Sequence, residues 1–264
     1  MTPELLIPLV AGHLIGDFVL QTDGMVRDKH KLPVMTLHSG IVALVSWGLT
    51  GYLLAWWWVA PLIFASHFVI DLTKVRAAAW LAARKPREAP GFLDQNGLVT
   101  LFALDQVAHF AVIALLAERA GVIPELRATV MGEGAWIEVF GGGYLDALVL
   151  ASGWILVAMA CGHFLGLLLQ RFEAELLEEQ KDGLSNGGYW IGITERSLIY
   201  LFILVGEPTG IGFLAAAKSV FRIGEIKEAK DRKLAEYILI GTLMSFALAM
   251  VLGLLVREAL SGLP

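Results

Sequence analysis

Residues 98–117 read LVTLFALDQVAHFAVIALLA, and among these twenty only Thr100, Asp105, Gln106 and His109 are polar. A helix needs about 20 mostly apolar residues to cross the hydrocarbon core of a bilayer. This stretch meets that length. It also carries a carboxylate and an imidazole four residues apart, two groups that a membrane helix holds only at a cost. Both features recur along the chain.

Working outward, seven more segments have the character of spans: 3–21, 35–58, 59–80, 144–170, 188–205, 208–222 and 234–256. The segments 188–205 and 208–222 are the shortest, and each carries charge. The 264-residue chain is 57% hydrophobic and 17% charged, with a mean hydropathy of +0.68. An ordinary soluble domain has about 25% charged residues. A soluble core could not hide this much apolar surface, so lipid must be part of the solvent. The reading is an all-α, polytopic transmembrane helix bundle of about eight helices. It has an N-terminal half, 1–119, and a C-terminal half, 144–258.

Several function classes are excluded early. A formal net charge of −5 argues against nucleic acid as a partner. The lone Cys161 rules out an intramolecular disulfide and a multi-cysteine zinc cluster. The opening MTPELLIPLV lacks a basic n-region and a cleavage motif, so it reads as a first helix and not as a signal peptide.

Charge in the connections sets an expected topology. Basic residues follow the first span (Arg27, Lys29, Lys31), the third (Lys74, Arg76, Arg84, Lys85, Arg87), the fifth (Arg171, Lys181) and the seventh (Arg222, Lys227, Lys230, Arg232, Lys233). The alternate connections, 58–61, 118–143 and 206–210, are poor in Lys and Arg. Cytoplasmic loops carry the basic excess. Both termini are therefore expected outside the cytoplasm, in a bacterial inner (plasma) membrane. Trp56, Trp57 and Trp58 then fall at the outer interface, with core packing as the alternative. The acidic stretch at 171–182, RFEAELLEEQKD, reads as a solvated cytoplasmic helix where a partner would dock. Self-association into a homo-oligomer is the other partner expectation, with membrane lipid as the surroundings. GHLIG at 12–16 is echoed by GHFLG at 162–166, as a diverged duplication would leave it. Leu167 stands where the first copy has Asp17.

Four histidines, His13, His38, His67 and His109, lie inside the candidate spans of the N-terminal half. Three have an aspartate one helical turn away: His13/Asp17, His67/Asp71 and Asp105/His109. Composition alone would supply about 0.4 such pairs. The i,i+4 spacing puts both members of a pair on one helix face. An aspartate near the bilayer centre costs about 2.5–3.5 kcal/mol on insertion scales and needs a partner. A divalent cation satisfies several carboxylates and neutral imidazoles at once. The expectation is a metal site built from His13, Asp17, His38, His67, Asp71, Asp105 and His109. Zinc is the first choice, with manganese and iron as alternatives. Seven groups exceed the four of a closed zinc site, which suggests two ions or one ion with a surrounding shell. A proton relay and purely structural pairing are the competing readings.

The strings GHLIGDFVLQTD, LHSG, SHFVIDLTK and LDQVAHF resemble an uncharacterised bacterial membrane family called domain of unknown function 3307. In the second half, GYWIGITERSLIYL, GFLAAAKSVFR and EYILIGTLMSF resemble the segment that often follows it. That family name implies no activity. The HxxxD pattern is also loosely similar to multi-pass proteins known as membrane-bound metal-dependent hydrolases.

A second polar cluster comprises Glu195, Arg196, Lys218, Arg222 and Glu236. One reading is a salt-bridge network in which Glu195 and Glu236 are structural partners. The other is an anion or substrate site formed by Arg196, Lys218 and Arg222. The expected function is a metal-dependent hydrolase of a phospholipid-like amphiphile, with Asp17 or Asp105 as general base. The alternatives are a metal-ion or proton-coupled transporter, and a scaffold with a structural metal.

Overall fold

The computed structural model describes residues 3–51, 56–83, 92–122, 135–173, 186–223 and 232–263. Its elements are α1 (Pro3–Phe18), α2 (Asp23–Asp28), α3 (Leu32–Thr50), α4 (Val59–Ala82), α5 (Phe92–Val122), α6 (Ala135–Phe140) and α7 (Gly143–Trp154). A π-helical segment, Ile155–Ala160, follows, and then α8 (Cys161–Glu173), α9 (Gly187–Leu204), α10 (Thr209–Ile223) and α11 (Arg232–Ser261). No strand occurs among the described residues. The class is all-α.

Each of the eight predicted spans falls on a helix, but the helix count differs. The short α2 and α6 carry no membrane-length apolar run and were not foreseen, and the predicted span 144–170 is interrupted by the π segment. Among the described residues, four helices are long and apolar enough to cross a membrane: Leu32–Thr50, Asn96–Ala120, Gly143–Gln170 and Lys233–Ser261. Helix α4 has the length, at 24 residues, but carries Asp71, Lys74 and Arg76. The span predicted at 35–58 stops at Thr50, because Gly51 adopts φ +77° and closes α3 with a left-handed cap. Of the three tryptophans beyond it, Trp56 is buried in the core and stacks on Trp58, while Trp57 is exposed. Core packing and surface exposure thus divide the run between them. The basic residues Arg84, Lys85, Arg87, Lys227 and Lys230, and most of the acidic stretch 171–182, lie outside the described residues.

The chain forms two compact units: Met1–Ile155 with residues 263–264, and Leu156–Gly262. Residues 144–155, which the sequence reading places in the second half, belong to the first unit.

In the first unit α1 packs on α3, α5 and α7, α3 packs on α4, and α4 packs on α5. Gly12 and Gly16 let α1 approach α3 closely. A Cβ at Gly12 would run into the Ser46 backbone, and one at Gly16 would lie 2.6 Å from Val42 Cγ2. Small residues at this spacing are how membrane helices come together. Helix α4 buries Val59, Ile63, His67 and Asp71, one residue per turn. On its outside and that of its neighbours, Leu37, Leu44, Val69, Leu104 and Val107 are exposed. The unit is apolar outside and partly ionic inside, the arrangement that lipid surroundings favour. The C-terminal carbonyls of α3 are capped from elsewhere: Trp136 Nε1 donates to Gly48 O at 2.7 Å, and the Tyr144 hydroxyl donates to Leu49 O at 2.5 Å. These bonds satisfy acceptors that a helix end leaves open.

In the second unit α11 packs on α8 and α9, and α9 packs on α10. Leu243, Val251, Leu254 and Leu255 are exposed along α11.

Candidate metal centre

Four helices of the first unit turn their polar faces to one point. Helix α1 brings His13 and Asp17, α3 brings His38, α4 brings His67 and Asp71, and α5 brings Asp105 and His109. All seven side chains are buried, none more than 8% exposed. The structure brings every predicted ligand together, because each i,i+4 pair already shares a face and all four faces point inward.

The tightest part has a definite shape. Four atoms face one another: Asp17 Oδ1, His38 Nε2, His67 Nε2 and Asp71 Oδ2. His38 Nε2 lies 3.1 Å from His67 Nε2, 3.2 Å from Asp17 Oδ1 and 3.5 Å from Asp71 Oδ2. His67 Nε2 lies 3.4 Å from Asp17 Oδ1 and 3.3 Å from Asp71 Oδ2. Each of the two Nε2 atoms thus lies within 3.5 Å of the other and of both carboxylate oxygens. Ligand atoms bonded at 2.0–2.2 Å to one zinc ion lie about 3.3–3.6 Å apart, and Asp17, His38 and His67 form a group close enough together to hold an ion. Hydrogen bonds alone account poorly for the set. Each Nε2 carries at most one proton, so two rings supply at most two protons for five contacts. The other contacts would set lone pairs against each other.

The remaining groups lie around this core. His109 packs against His67 and His13, with ring centroids 4.2 and 4.7 Å apart. Neither ring nitrogen of His109 has a hydrogen-bond partner among the described residues, and Asp105 Oδ1 has none either. His13, His67 and His109 could themselves hold an ion, as could Asp17, Asp105 and His109. A cavity of about 10 Å³ lies beside His13, Ser46, His67 and His109, room for about one water.

Three members of the site were not singled out from the sequence. Lys29, just past α2, reaches Asp71 Oδ2 at 2.8 Å, and Lys74 reaches Asp105 Oδ2 at 2.8 Å. Gln106 bridges α1 and α5: its amide nitrogen donates to Asp17 Oδ2 at 3.4 Å and to Asp105 Oδ2 at 3.2 Å, and its Oε1 lies 3.3 Å from His13 Nε2. Both lysines stood in segments read only for topology. Lys74 carried a usable signal, since His67, Asp71 and Lys74 follow the i, i+4, i+7 pattern of one face. Lys29 carried none, because only the tertiary fold brings it to Asp71.

The second polar cluster lies in the second unit. Glu195 and Arg196 are both buried on α9. Lys218 Nζ sits 2.6 Å from Glu195 Oε2. Arg196 turns elsewhere: Nε and Nη2 donate to Ala158 O at 3.1 and 2.7 Å, and Nη1 donates to Ser245 Oγ at 3.4 Å. Among the described residues no carboxylate pairs with it. Glu236 is exposed on α11, and the Arg222 side chain lies outside the described residues.

Residues 5–131 match the model of a family described as Protein of unknown function (DUF3307). All seven His/Asp residues fall inside that match, and the second cluster falls outside it. No curated protein and no solved structure matches the chain.

Proposed function

The N-terminal part of the chain belongs to the DUF3307 family, and from its buried His/Asp cluster we propose that it is a membrane metal centre that hydrolyses an amphiphilic, phosphate-bearing substrate. The observation that carries the metal is the close approach of four buried groups, with His38 Nε2 and His67 Nε2 each within 3.5 Å of the other and of oxygens of Asp17 and Asp71. Imidazole with carboxylate suits zinc first, then manganese or iron. A bound ion of this kind lowers the pKa of its water to near 7 and polarises the scissile bond.

The chain's own residues supply the rest. Asp17 points Oδ1 at His38 Nε2 and His67 Nε2, 3.2 and 3.4 Å away, so its role is ligand. That leaves Asp105 as general base: Lys74 and Gln106 hold its Oδ2, while its Oδ1 is uncommitted and 3.9 Å from His109 Nδ1. Charge favours an anionic substrate. Three carboxylates against two ammonium groups leave one negative charge, and a divalent ion turns this into one positive charge. Lys74, with 28% of its side chain exposed, is the more open of the two cations. The basic connections support a reading in which this face lies toward the cytoplasm of a bacterial inner membrane, with both termini on the other side.

A second reading, metal-ion transport, draws on one observation. The space beside the histidines is about 10 Å³, enough for an ion or a water but not for a headgroup. Both readings are tested on one sample of purified protein in liposomes, by divalent-metal uptake and by turnover of a phospholipid or isoprenoid phosphate. Turnover without uptake supports the hydrolase. Uptake without turnover overturns it in favour of transport.

A further inference from the structure

The second unit contains a cavity of about 860 Å³, lined by apolar side chains such as Leu165, Leu169 and Leu214, with Arg196 and the Glu195–Lys218 pair among its polar groups. This volume lies in the range of true ligand pockets, about 300–1,000 Å³. We infer that the cavity binds the headgroup of a membrane phospholipid of net negative charge, with Arg196 as the anion-binding group and the apolar walls taking the proximal acyl chain.

The charge balance carries the inference. Lys218 is neutralised by Glu195 at 2.6 Å. Arg196 is only 5% exposed and donates to two neutral oxygens, Ala158 O and Ser245 Oγ. The described wall of the cavity thus keeps one uncompensated positive charge. Ionisable residues inside membrane helices are costly and usually mark a function. A guanidinium fork is the group best matched to phosphate oxygens.

The glycines of the cavity support the same conclusion. A Cβ at Gly162 would strike Arg196 Nη2, and one at Gly192 would lie 2.8 Å from Nη1. These two positions leave room for the guanidinium. Gly166 and Gly188 also line the cavity, and a Cβ at either meets nothing within 4 Å. Here the absence of side chains keeps the space open. GHFLG at 162–166, the echo of GHLIG at 12–16, therefore serves a different purpose from its counterpart. In α1 the glycines admit a neighbouring helix; in α8 they admit an arginine and a cavity. The residues that line the cavity lie outside 5–131, and the inference does not depend on the metal.

The test uses the full chain in detergent, with lipid binding followed by native mass spectrometry. The probes are phosphatidylglycerol, phosphatidylcholine and inorganic phosphate. The wild type is expected to bind phosphatidylglycerol about tenfold more tightly than phosphatidylcholine, one charge-assisted contact's worth. Arg196→Gln is expected to reduce that preference to within about twofold. Because loss of a buried arginine can itself unfold the protein, Gly166→Leu provides a second arm. It fills the cavity where an added Cβ meets no atom, and is expected to weaken phosphatidylglycerol binding about tenfold with unchanged circular dichroism and melting temperature. Equal binding of both lipids by the wild type would overturn the inference. So would a folded Gly166→Leu with undiminished binding, or displacement of the lipid by equimolar inorganic phosphate, which would identify a soluble-anion site instead.

Discussion

Gly12→Ala adds one methyl group where α1 crosses α3, five residues or about 7.5 Å along the helix from Asp17. The new Cβ would collide with Ser46 Cα and lie 2.5 Å from Ser46 Oγ and 2.7 Å from Ser46 N. Ordinary contact needs about 3.4 Å or more, and backbone atoms cannot rotate away. The two helices must part by roughly 1 Å, at a cost of about 1–3 kcal/mol for overpacking. The same movement draws Asp17 Oδ1 away from His38 Nε2, a distance of 3.2 Å across these two helices. Metal sites tolerate distance errors of only about 0.2 Å, so zinc affinity is expected to fall about tenfold or more, as when a supporting group is lost. The control is Gly40→Ala on α3, two residues from His38, where an added Cβ meets nothing within 4 Å. Competition with a fluorescent zinc chelator and thermal melting report both effects. If Gly12→Ala matches the wild type in affinity and melting temperature, the helices do not pack as described. If Gly40→Ala loses as much as Gly12→Ala, the effect is not one of helix separation.

Lys29→Ala removes the ammonium from a fully buried carboxylate, Asp71, 2.8 Å away. An uncompensated buried charge costs about 3–5 kcal/mol, so this variant is expected to melt early in chelator and to recover with zinc; melting equal to the wild type in chelator would show that the pair is not structural. Reporter fusions address topology: a fusion after residue 264 should read extracytoplasmic and one at Arg87 cytoplasmic, and the opposite pattern would mean that a helix taken as a span does not cross.

The helix pattern and the His/Asp cluster were legible because both are local. An i,i+4 pair such as His67/Asp71 fixes its own face, and a run such as 98–117 fixes its own length. What escaped the sequence depends on approach between helices. Gln106 looked like one polar residue beside Asp105, yet it ties His13 and Asp17 to α5. Arg196 looked like a partner for Glu195, its neighbour in the chain. Adjacent residues on a helix point about 100° apart, and Arg196 instead reaches Ala158 O at the π segment, past Gly162 and Gly192. The two GHxxG strings looked like copies, and only their surroundings show that one admits a helix and the other a guanidinium.

The central claim is that the buried cluster of Asp17, His38, His67 and Asp71 holds a metal ion. Asp71→Asn keeps the shape of one of them and removes its charge, while His30→Ala changes an exposed histidine outside the cluster. The direct measurement is zinc, manganese and iron content by mass spectrometry of the wild type and both variants, purified without chelator. The account expects about one divalent ion per chain in the wild type and in His30→Ala, and at least tenfold weaker retention in Asp71→Asn. A wild type without metal, or an Asp71→Asn variant that keeps as much as the wild type, would contradict it.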